Sequence, residues 1–286
     1  MREKQKKTTV LPETAARKQG RIRCAYQGIP GAWHEYALLQ AMPDAEKIAV
    51  EYFEDVFTAV ESGRADYGIV ALENSQTGAI GETYDLLRRS GCYVVGKTTV
   101  KIRHCLLAVP GTRREDIREV YSHQQGFRQC ERFLREQGWK MNGCRNTAVA
   151  AEIVRRQGGA AAAIGSRRAA EENGLEVLVP DIMDSDGNCT TFILLAKHPE
   201  YDGDSDLVAV SFSAEHRSGA LCDCLLPFQR AGINLMRIES RPGEGGVYRF
   251  FIELQGNVLN AEMQEGLRLS AEKASYFEVI GCYREV

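Results

Sequence analysis

The stretch that decides the fold is Gly187-Asn188-Cys189-Thr190-Thr191-Phe192, which continues into Ile193-Leu194-Leu195-Ala196. The second half is apolar, and its length and composition predict a buried β-strand. The first half is polar and lies at the mouth of that strand. Adjacent threonines and an asparagine are also ordinary turn residues, so this segment alone does not distinguish a turn from a binding site.

The length and composition of the chain bound the possible functions. The chain has 286 residues, enough for about two domains, and 44% of them are hydrophobic. A net charge of −3 does not favour a nucleic-acid partner. Nine cysteines without the paired spacing of a zinc site predict reduced, mostly buried thiols in a cytoplasmic protein. No apolar run is long enough to span a bilayer and no secretory signal is visible, so we expect no membrane partner.

The order of local patterns predicts the domain organisation. Residues 1–20 are polar and basic without an apolar period, and we expect a flexible leader. From residue 21 short strands alternate with helices, which predicts parallel or mixed sheets covered by helices. The extent of this alternation predicts two α/β lobes, lobe one over about 21–98 and 180–200 and lobe two over about 99–179. The chain crosses between them near 98–103 and returns near 178–188.

Polar loops follow several of the predicted strands. Ligands of open α/β sheets bind outside the carboxyl ends of the strands, and helix N-termini offer free N–H groups that suit anions. We therefore expect a small anionic ligand. Ser122 and Thr147 could instead be simple N-caps, and His123 could be a neutral histidine without a catalytic role. The polar residues at these positions are Glu73, Asn74, Ser75, Ser122, His123, Gln125 and Thr147.

The C-terminal part, residues 206–286, predicts a separate compact unit after a linker at 202–206. Its strands and helices follow the order βαββαβ, which is the ferredoxin-like arrangement, with Ser218 as the N-cap of the first helix and a turn at 242–246. One face of such a four-stranded sheet is bare in isolation. We therefore expect that face to pair with a second copy of the chain.

The order and spacing of several motifs over about residues 21–286 resemble the prephenate dehydratase family with a C-terminal ACT domain. Each motif is weak alone, but their joint order is specific. The motifs are Tyr26–Ala32, Leu72–Ser75, His104–Leu107, Ser122-His123 with Gln125, Thr147-Ala148, Asn188 with Thr190 and Phe192, Gly219–Leu221, Gly232–Leu235 and Glu239–Pro242.

The resemblance implies the conversion of prephenate to phenylpyruvate, with loss of carbon dioxide and water, in L-phenylalanine biosynthesis. It also implies a catalytic domain over 21–200 with two lobes like those of type II periplasmic binding proteins, without a metal or organic cofactor. Thr190 matches the threonine to which the family assigns catalysis, and we expect it to act as a hydrogen-bond donor or proton relay. The implied substrate-binding residues are Glu73, Asn74, Ser75, Ser122, His123, Gln125, Thr147, Asn188, Thr191 and Phe192.

The resemblance also implies regulation by L-phenylalanine, bound where two ACT domains of a dimer or tetramer meet. Gly219 and Ala220 would let the backbone approach the effector, although both could simply be a small-residue helix start. The implied effector residues are Gly219, Ala220, Leu221, Asn234, Glu239, Ser240, Arg241 and Pro242.

Three residues depart from the family pattern: His34 replaces a serine, Gln124 a proline and Thr191 an arginine. Threonine cannot supply the bidentate carboxylate contacts of arginine. Three alternatives therefore stay open: an arogenate dehydratase, a decarboxylase that acts on prephenate without forming an aromatic ring, and a catalytically inactive phenylalanine sensor. A substitute cation could come from Lys101, Arg103 or Arg145.

Overall fold

The computed structural model describes residues 7–15, 20–243 and 247–286. Its strands are β1 (Lys7–Thr8), β2 (Arg23–Gln27), β3 (Glu46–Val50), β4 (Tyr67–Asn74), β5 (Gly78–Ala79), β6 (Tyr93–Lys101), β7 (Cys105–Ala108), β8 (Glu119–Ser122), β9 (Lys140–Gly143), β10 (Ala161–Gly165), β11 (Glu176–Val179), β12 (Cys189–Ala196), β13 (Leu207–Ser213), β14 (Leu235–Pro242), β15 (Tyr248–Gln255) and β16 (Tyr276–Tyr283).

The helices cover these strands. They are α1 (Trp33–Ala41), α2 (Phe53–Glu61), α3 (Gly81–Arg89), α4 (Gln124–Gln129), α5 (Glu131–Arg135), α6 (Thr147–Gln157), α7 (Arg167–Asn173), α8 (Ala220–Arg230) and α9 (Ala261–Lys273), with a 3-10 turn at Arg114–Asp116. None of the helices in the described ranges is long and apolar enough to cross a membrane.

Lobe one is built on the strand order β3-β2-β4-β12-β6. Strand β2 is parallel to β3 and β4, whereas β12 is antiparallel to both of its neighbours. One face packs against α1 through Leu38 and Phe192, and the other packs against α2 and α3 through Val56 and Ile193. The apolar run predicted as a buried strand is therefore the fourth strand of this sheet, covered on both faces.

Lobe two repeats this topology in the order β9-β8-β10-β7-β11, with β7 antiparallel to both neighbours. The chain crosses over after β6 and returns before β12, close to the predicted positions. This repeated order is that of type II periplasmic binding proteins, so the predicted two-lobed α/β class is confirmed. Strand β11 gives only a weak signal in the sequence, because its four residues lack an apolar period and the structure buries none of them fully.

The local pattern of Gln124–Gln137 is that of one helix, but the helix is interrupted at Cys130, where φ is −124°. The segment that leads back from lobe two to β12 contacts the chain at this break. The carbonyl of Gln129 accepts a hydrogen bond from the Asp184 N–H at 2.8 Å, and the Asp184 carboxylate accepts one from the Arg132 N–H at 3.1 Å. A contact across 52 residues of sequence therefore ends a helix that the local pattern would continue.

The C-terminal unit has the ferredoxin-like strand order β14-β15-β13-β16, which confirms the predicted βαββαβ arrangement. Helices α8 and α9 cover one face of this sheet. The expectation that the other face is free to pair with a second copy of the chain is wrong, because lobe one covers it. Leu207, Phe251 and Ile280 on that face pack in one apolar cluster with Tyr84 and Val94 of lobe one.

The sheets of lobe one and the C-terminal unit are also continuous, because β16 runs parallel to β6. Gly281 pairs with Val94, and a Cβ at Gly281 would lie 2.3 Å from the Val94 carbonyl oxygen. Only glycine allows this approach. The tail then pairs with the same strand, where the Val286 N–H donates to the Lys97 carbonyl at 2.7 Å.

The described part of the leader packs on the C-terminal unit. Strand β1 is parallel to β16, Leu11 is buried in the C-terminal core, and the Ala15 N–H donates to the Pro199 carbonyl at 2.9 Å. The prediction of a flexible leader is therefore wrong for residues 7–15. Its other parts, 1–6 and 16–19, lie outside the described residues, as do positions 244–246 of the predicted turn.

Candidate active site

A cavity of about 350 Å³ lies between the two lobes, at the carboxyl ends of β2 and β4 and the N-termini of α4 and α6. This is where ligands bind in open α/β sheets. Of the residues predicted to bind substrate or catalyse, the structure brings together on the cavity wall Asn74, His123, Gln125, Thr147, Thr190 and Phe192.

Thr190 is held by Asn74, its cross-strand neighbour. The Asn74 amide donates to Thr190 Oγ1 at 3.0 Å and to Asn188 Oδ1 at 2.7 Å. The side-chain oxygen of Asn74, Oδ1, accepts a hydrogen bond from the backbone N–H of Gln76 at 3.0 Å, which fixes the orientation of the side-chain amide. Since the Thr190 oxygen already accepts a hydrogen bond, its hydroxyl hydrogen is the part left to act on a ligand in the cavity.

Strand alternation separates Thr190 from Thr191. Thr190 and Phe192 face the cavity, whereas Thr191 shares the opposite face with Ile193. Thr191 is paired across the strands with Glu73, whose carboxylate forms an ion pair with Arg237 of the C-terminal unit. Neither the Thr191 nor the Glu73 side chain lines the cavity, contrary to their predicted role in substrate binding.

Ser75, Ser122 and Asn188 also lie outside the cavity wall and support it from behind. Ser122 is buried and donates to the Ile164 carbonyl at 3.0 Å. Ser75 donates to the Gly187 carbonyl at 3.0 Å, and Asn188 accepts from the Asn74 amide. Sequence motifs do not distinguish a side chain that touches a ligand from one that holds the loop beneath it.

His123 is the N-cap of α4, and its Nδ1 accepts from the Gln125 N–H at 3.2 Å. This contact defines the neutral tautomer with the proton on Nε2. Desolvation lowers the His123 pKa below its usual value. Thr147 begins α6, so the starts of two helices border the cavity and favour anionic groups there.

Two histidines that sequence reasoning did not assign to the site also line the cavity. His34 lies edge-on to Phe53 and Phe192, each at 5.2 Å between ring centroids, and burial lowers its pKa to about 4. His104 is 2% exposed, its Nε2 lies 3.0 Å from Gln129 Oε1, and burial lowers its pKa to about 4. The His104–Leu107 motif and the departure at His34 were the only signals for these positions.

Arg145 is the only cationic side chain among the described residues that line the cavity. It lies at the rim in lobe two, where its Nη1 is 2.5 Å from the Glu51 carboxylate of lobe one. Arg103 pairs instead with Asp181 at 3.1 Å, and Lys101 does not line the cavity. No aspartate or glutamate lines the described wall, so its charge favours an anionic ligand.

The two lobes are in direct contact beside the cavity at Gly31, whose φ of 88° favours glycine. A Cβ at Gly31 would lie 2.8 Å from Ala169 Cα, and Ser166 donates to the Gly31 carbonyl at 3.1 Å. The buried Glu35 carboxylate accepts from the Gly31 N–H at 2.7 Å and from Arg168 at 3.1 Å. Burial alone would raise the Glu35 pKa, but hydrogen bonds from Gly31, Lys47 and Arg168 outweigh it and lower the pKa.

The predicted effector residues line different cavities in the described part of the chain. Ala220 and Leu221 line a cavity of about 380 Å³, and Asn234 lines another of about 430 Å³. Glu239 and Arg241 are half-buried, and Arg241 lies 3.4 Å from Asp85 of lobe one. Helix α8 has no side-chain cap: Gly219 precedes it in the left-handed conformation, so the prediction that Ser218 is the N-cap is wrong.

Comparison with known proteins decides the family. The family model for prephenate dehydratase matches residues 24–200, the part of the chain that forms both lobes and the cavity.

The chain belongs to the prephenate dehydratase family. It is 37% identical over 277 residues to arogenate dehydratase/prephenate dehydratase 2 of Arabidopsis thaliana, a chloroplastic protein. That match covers 92% of this chain and 73% of the relative. A prephenate dehydratase or arogenate dehydratase is a lyase of aromatic amino acid biosynthesis, so membership of this family places the chain among such enzymes.

Two solved structures resemble most of this chain. The prephenate dehydratase of Arthrobacter aurescens in complex with L-Phe has a TM-score of 0.84 and 27% identity, covering 92% of this chain and 90% of that one. The quorum quenching acylase GqqA has a TM-score of 0.85 and 29% identity, covering 92% and 98%. The second unit is therefore part of the shared fold, together with the two lobes.

Proposed function

We propose that this chain is a prephenate dehydratase that converts prephenate to phenylpyruvate. The observation that carries the proposal is the Thr190 hydroxyl on the cavity wall, with its oxygen accepting a hydrogen bond from Asn74 at 3.0 Å. In the reaction the ring carboxylate leaves as carbon dioxide, its electron pair enters the ring, and the ring hydroxyl leaves as water after gaining one proton. Aromatisation of the ring supplies the driving force.

Thr190 acts at the leaving hydroxyl. The hydrogen bond from Asn74 draws electron density from the Thr190 oxygen, so the Thr190 O–H becomes a stronger donor. Such a donor near the leaving group contributes about 10²–10⁴ in rate. Burial holds the pKa of His34 and His104 near 4, so both are neutral at neutral pH. As neutral side chains they shape the cavity but add no positive charge that would pair with the substrate's carboxylates.

The charge of the cavity wall supports prephenate over arogenate. Arogenate carries an ammonium group where prephenate carries a keto group. The described wall offers Arg145 at its rim and no carboxylate that faces the cavity. An ammonium group would therefore lose its hydration there without gaining a counter-ion, which is costly in a confined site.

The experiment that tests this proposal is a turnover assay with prephenate and arogenate in parallel. We expect the ultraviolet absorbance of an aromatic product from prephenate and a lower kcat/KM for arogenate. A higher kcat/KM for arogenate would make the chain an arogenate dehydratase. Loss of prephenate without an aromatic product would identify the chain as the decarboxylase that forms no aromatic ring. If neither compound is consumed, the catalytically inactive phenylalanine sensor is the alternative that remains.

We further propose that the C-terminal unit is an ACT domain that binds L-phenylalanine where two copies of the chain meet. The separate cavities at Leu221 and Asn234 support this arrangement, because neither alone contains all the predicted effector residues. The edge strand β14 exposes Met236 and Ile238, at 53% and 42%, and offers a surface for a second copy. We infer a cytoplasmic homo-oligomer whose activity responds to this effector.

Titration with L-phenylalanine tests the regulatory proposal. We expect a higher melting temperature and a changed rate of prephenate turnover, with light scattering showing more than one copy per particle. If phenylalanine changes neither quantity, the proposal is overturned.

A further inference from the structure

Two residues that line the cavity each carry a buried N–H donor without a hydrogen-bond partner among the described residues. These donors are Nε1 of Trp33 and Nδ2 of Asn146. Buried polar groups in folded proteins are nearly always hydrogen-bonded, because desolvating an unpaired donor is costly. A pair of exceptions on the wall of one cavity therefore indicates groups that a ligand satisfies.

Trp33 is held firmly in lobe one at the first position of α1. Its ring lies edge-on to His104, with 5.9 Å between centroids, and 5.8 Å from the ring of Tyr36. The indole nitrogen can only donate. It therefore requires an acceptor, which the described residues do not supply.

Asn146 belongs to lobe two and is the N-cap of α6. Its Oδ1 accepts from the Val149 N–H at 2.8 Å, so the cap fixes which end of the amide is oxygen. The NH₂ group is consequently the end left without a partner. The third unpartnered atom on this wall, His104 Nδ1, is an acceptor when Nε2 donates to Gln129, and so has the opposite chemistry.

The charge of the substrate explains why such donors are needed. Prephenate carries two carboxylates, whereas Arg145 is the only cation on the described cavity wall, and it also pairs with Glu51. Four carboxylate oxygens therefore meet one guanidinium group. Neutral N–H donors that are already desolvated bind carboxylates well, because hydrogen bonds to charged groups are stronger than neutral ones.

We propose that Trp33 and Asn146 bind carboxylate oxygens of the substrate, one donor from each lobe, so that the bound anion joins the lobes across the cavity. This inference rests on the proposed prephenate dehydratase activity. It adds two substrate-binding residues that the family motifs did not indicate.

The substitutions Trp33→Phe and Asn146→Asp test the inference. Trp33→Phe keeps an aromatic ring and removes the N–H, and Asn146→Asp keeps the capping oxygen while replacing the NH₂ with oxygen. We expect Trp33→Phe to raise the KM and the calorimetric Kd for prephenate about 10-fold, the usual loss for a hydrogen bond to a charged group. Asn146→Asp should raise both further, because its carboxylate repels the substrate.

Tyr84→Phe is the matched control. Tyr84 Oη is also a buried polar atom without a partner, but Tyr84 lies in the cluster between lobe one and the C-terminal unit. Its substitution should leave KM and Kd within about 2-fold, well below the loss of one such hydrogen bond. Melting temperatures of all three variants show whether each remains folded.

The outcomes separate this inference from the proposed function. If wild type converts prephenate and both cavity variants keep KM and Kd within about 2-fold of it, below the loss expected for one hydrogen bond, the inference is overturned and the function stands. If wild type neither binds nor converts prephenate, the proposed function fails and the inference with it. An equal rise in KM for Tyr84→Phe would also overturn the inference, because the effect would then not be local to the cavity.

Discussion

Lobe one has two neighbours, and it meets them in opposite ways. Toward lobe two it presents a cavity lined mostly by apolar surface, crossed by the Arg145–Glu51 pair and bordered by N–H groups that have no partner among the described residues. Toward the C-terminal unit it presents a continuous sheet and an apolar cluster. There Lys97 lies 2.8 Å from Glu253, with side-chain exposures of only 16% and 8%.

The difference indicates which of the two interfaces can open and close. Separating lobe one from the C-terminal unit would expose apolar surface and leave buried charges unpaired, which is strongly destabilising. Separating the lobes would widen a cavity that already exists and break contacts such as the Ser166–Gly31 hydrogen bond and the Arg168–Glu35 and Arg145–Glu51 ion pairs. We therefore expect the cleft to open and close while lobe one and the C-terminal unit move together, which would carry an effector signal to β12 through β6.

The largest expected effect concerns the cavity side of β12. Thr190→Val keeps the side-chain shape and removes the donor, so kcat for prephenate should fall about 10²–10⁴-fold while substrate affinity changes little. Thr191→Val makes the same change one residue away on the opposite face, and its kcat should stay within about 3-fold, since no general acid is removed. Steady-state kinetics on both variants give the measurement. Equal losses would show that the two faces of the strand are not functionally distinct.

A smaller effect is expected at the joint with the C-terminal unit. Gly281→Val places a Cβ where the Val94 carbonyl oxygen lies, and backbone cannot rotate away as a side chain can. We expect the free energy of unfolding to fall by about 3 kcal/mol. Chemical denaturation measures this loss. Gly143→Ala is the control, because a Cβ at that strand glycine meets nothing within 4 Å; a comparable loss there would refute the role of the joint.

The smallest expected effect is the pH dependence of stability that comes from His104 on the cavity wall. Burial lowers the His104 pKa to about 4 from an ordinary value near 6.5. The unfolded chain therefore binds a proton on this histidine at higher pH than the folded chain does. Stability from this group is fully present above about pH 6.5 and is lost as the pH falls toward 4, by about 1–2 kcal/mol between pH 7 and 5.

Denaturation of wild type and His104→Gln at pH 7 and pH 5 tests this expectation. The glutamine variant should lose less stability between the two values, since glutamine does not titrate. His216→Gln, in the C-terminal unit, provides the comparison at a more exposed histidine. An equal decrease for wild type and His104→Gln would contradict the assignment.

Part of the site could be predicted from the sequence, and the reason lies in its local chemistry. Asn74, His123, Thr147 and Thr190 stand at strand ends and helix starts, where composition and position in the chain indicate a ligand. Thr191 was misassigned because motif matching does not include the alternation of a strand that is covered on both faces. The motifs likewise did not single out Trp33 and Asn146. These residues stand out only because their buried N–H groups have no hydrogen-bond partner among the described residues.

The sequence by itself determined the alternation of strands and helices, the division into two α/β lobes and the βαββαβ order of the C-terminal unit. These features depend on periodicity and turn chemistry over short windows of residues. Only the tertiary structure decided that the free face of the C-terminal sheet lies on lobe one, and that Gly281 meets Val94. The physical reason is that such contacts join residues far apart in the chain, and no local pattern encodes them.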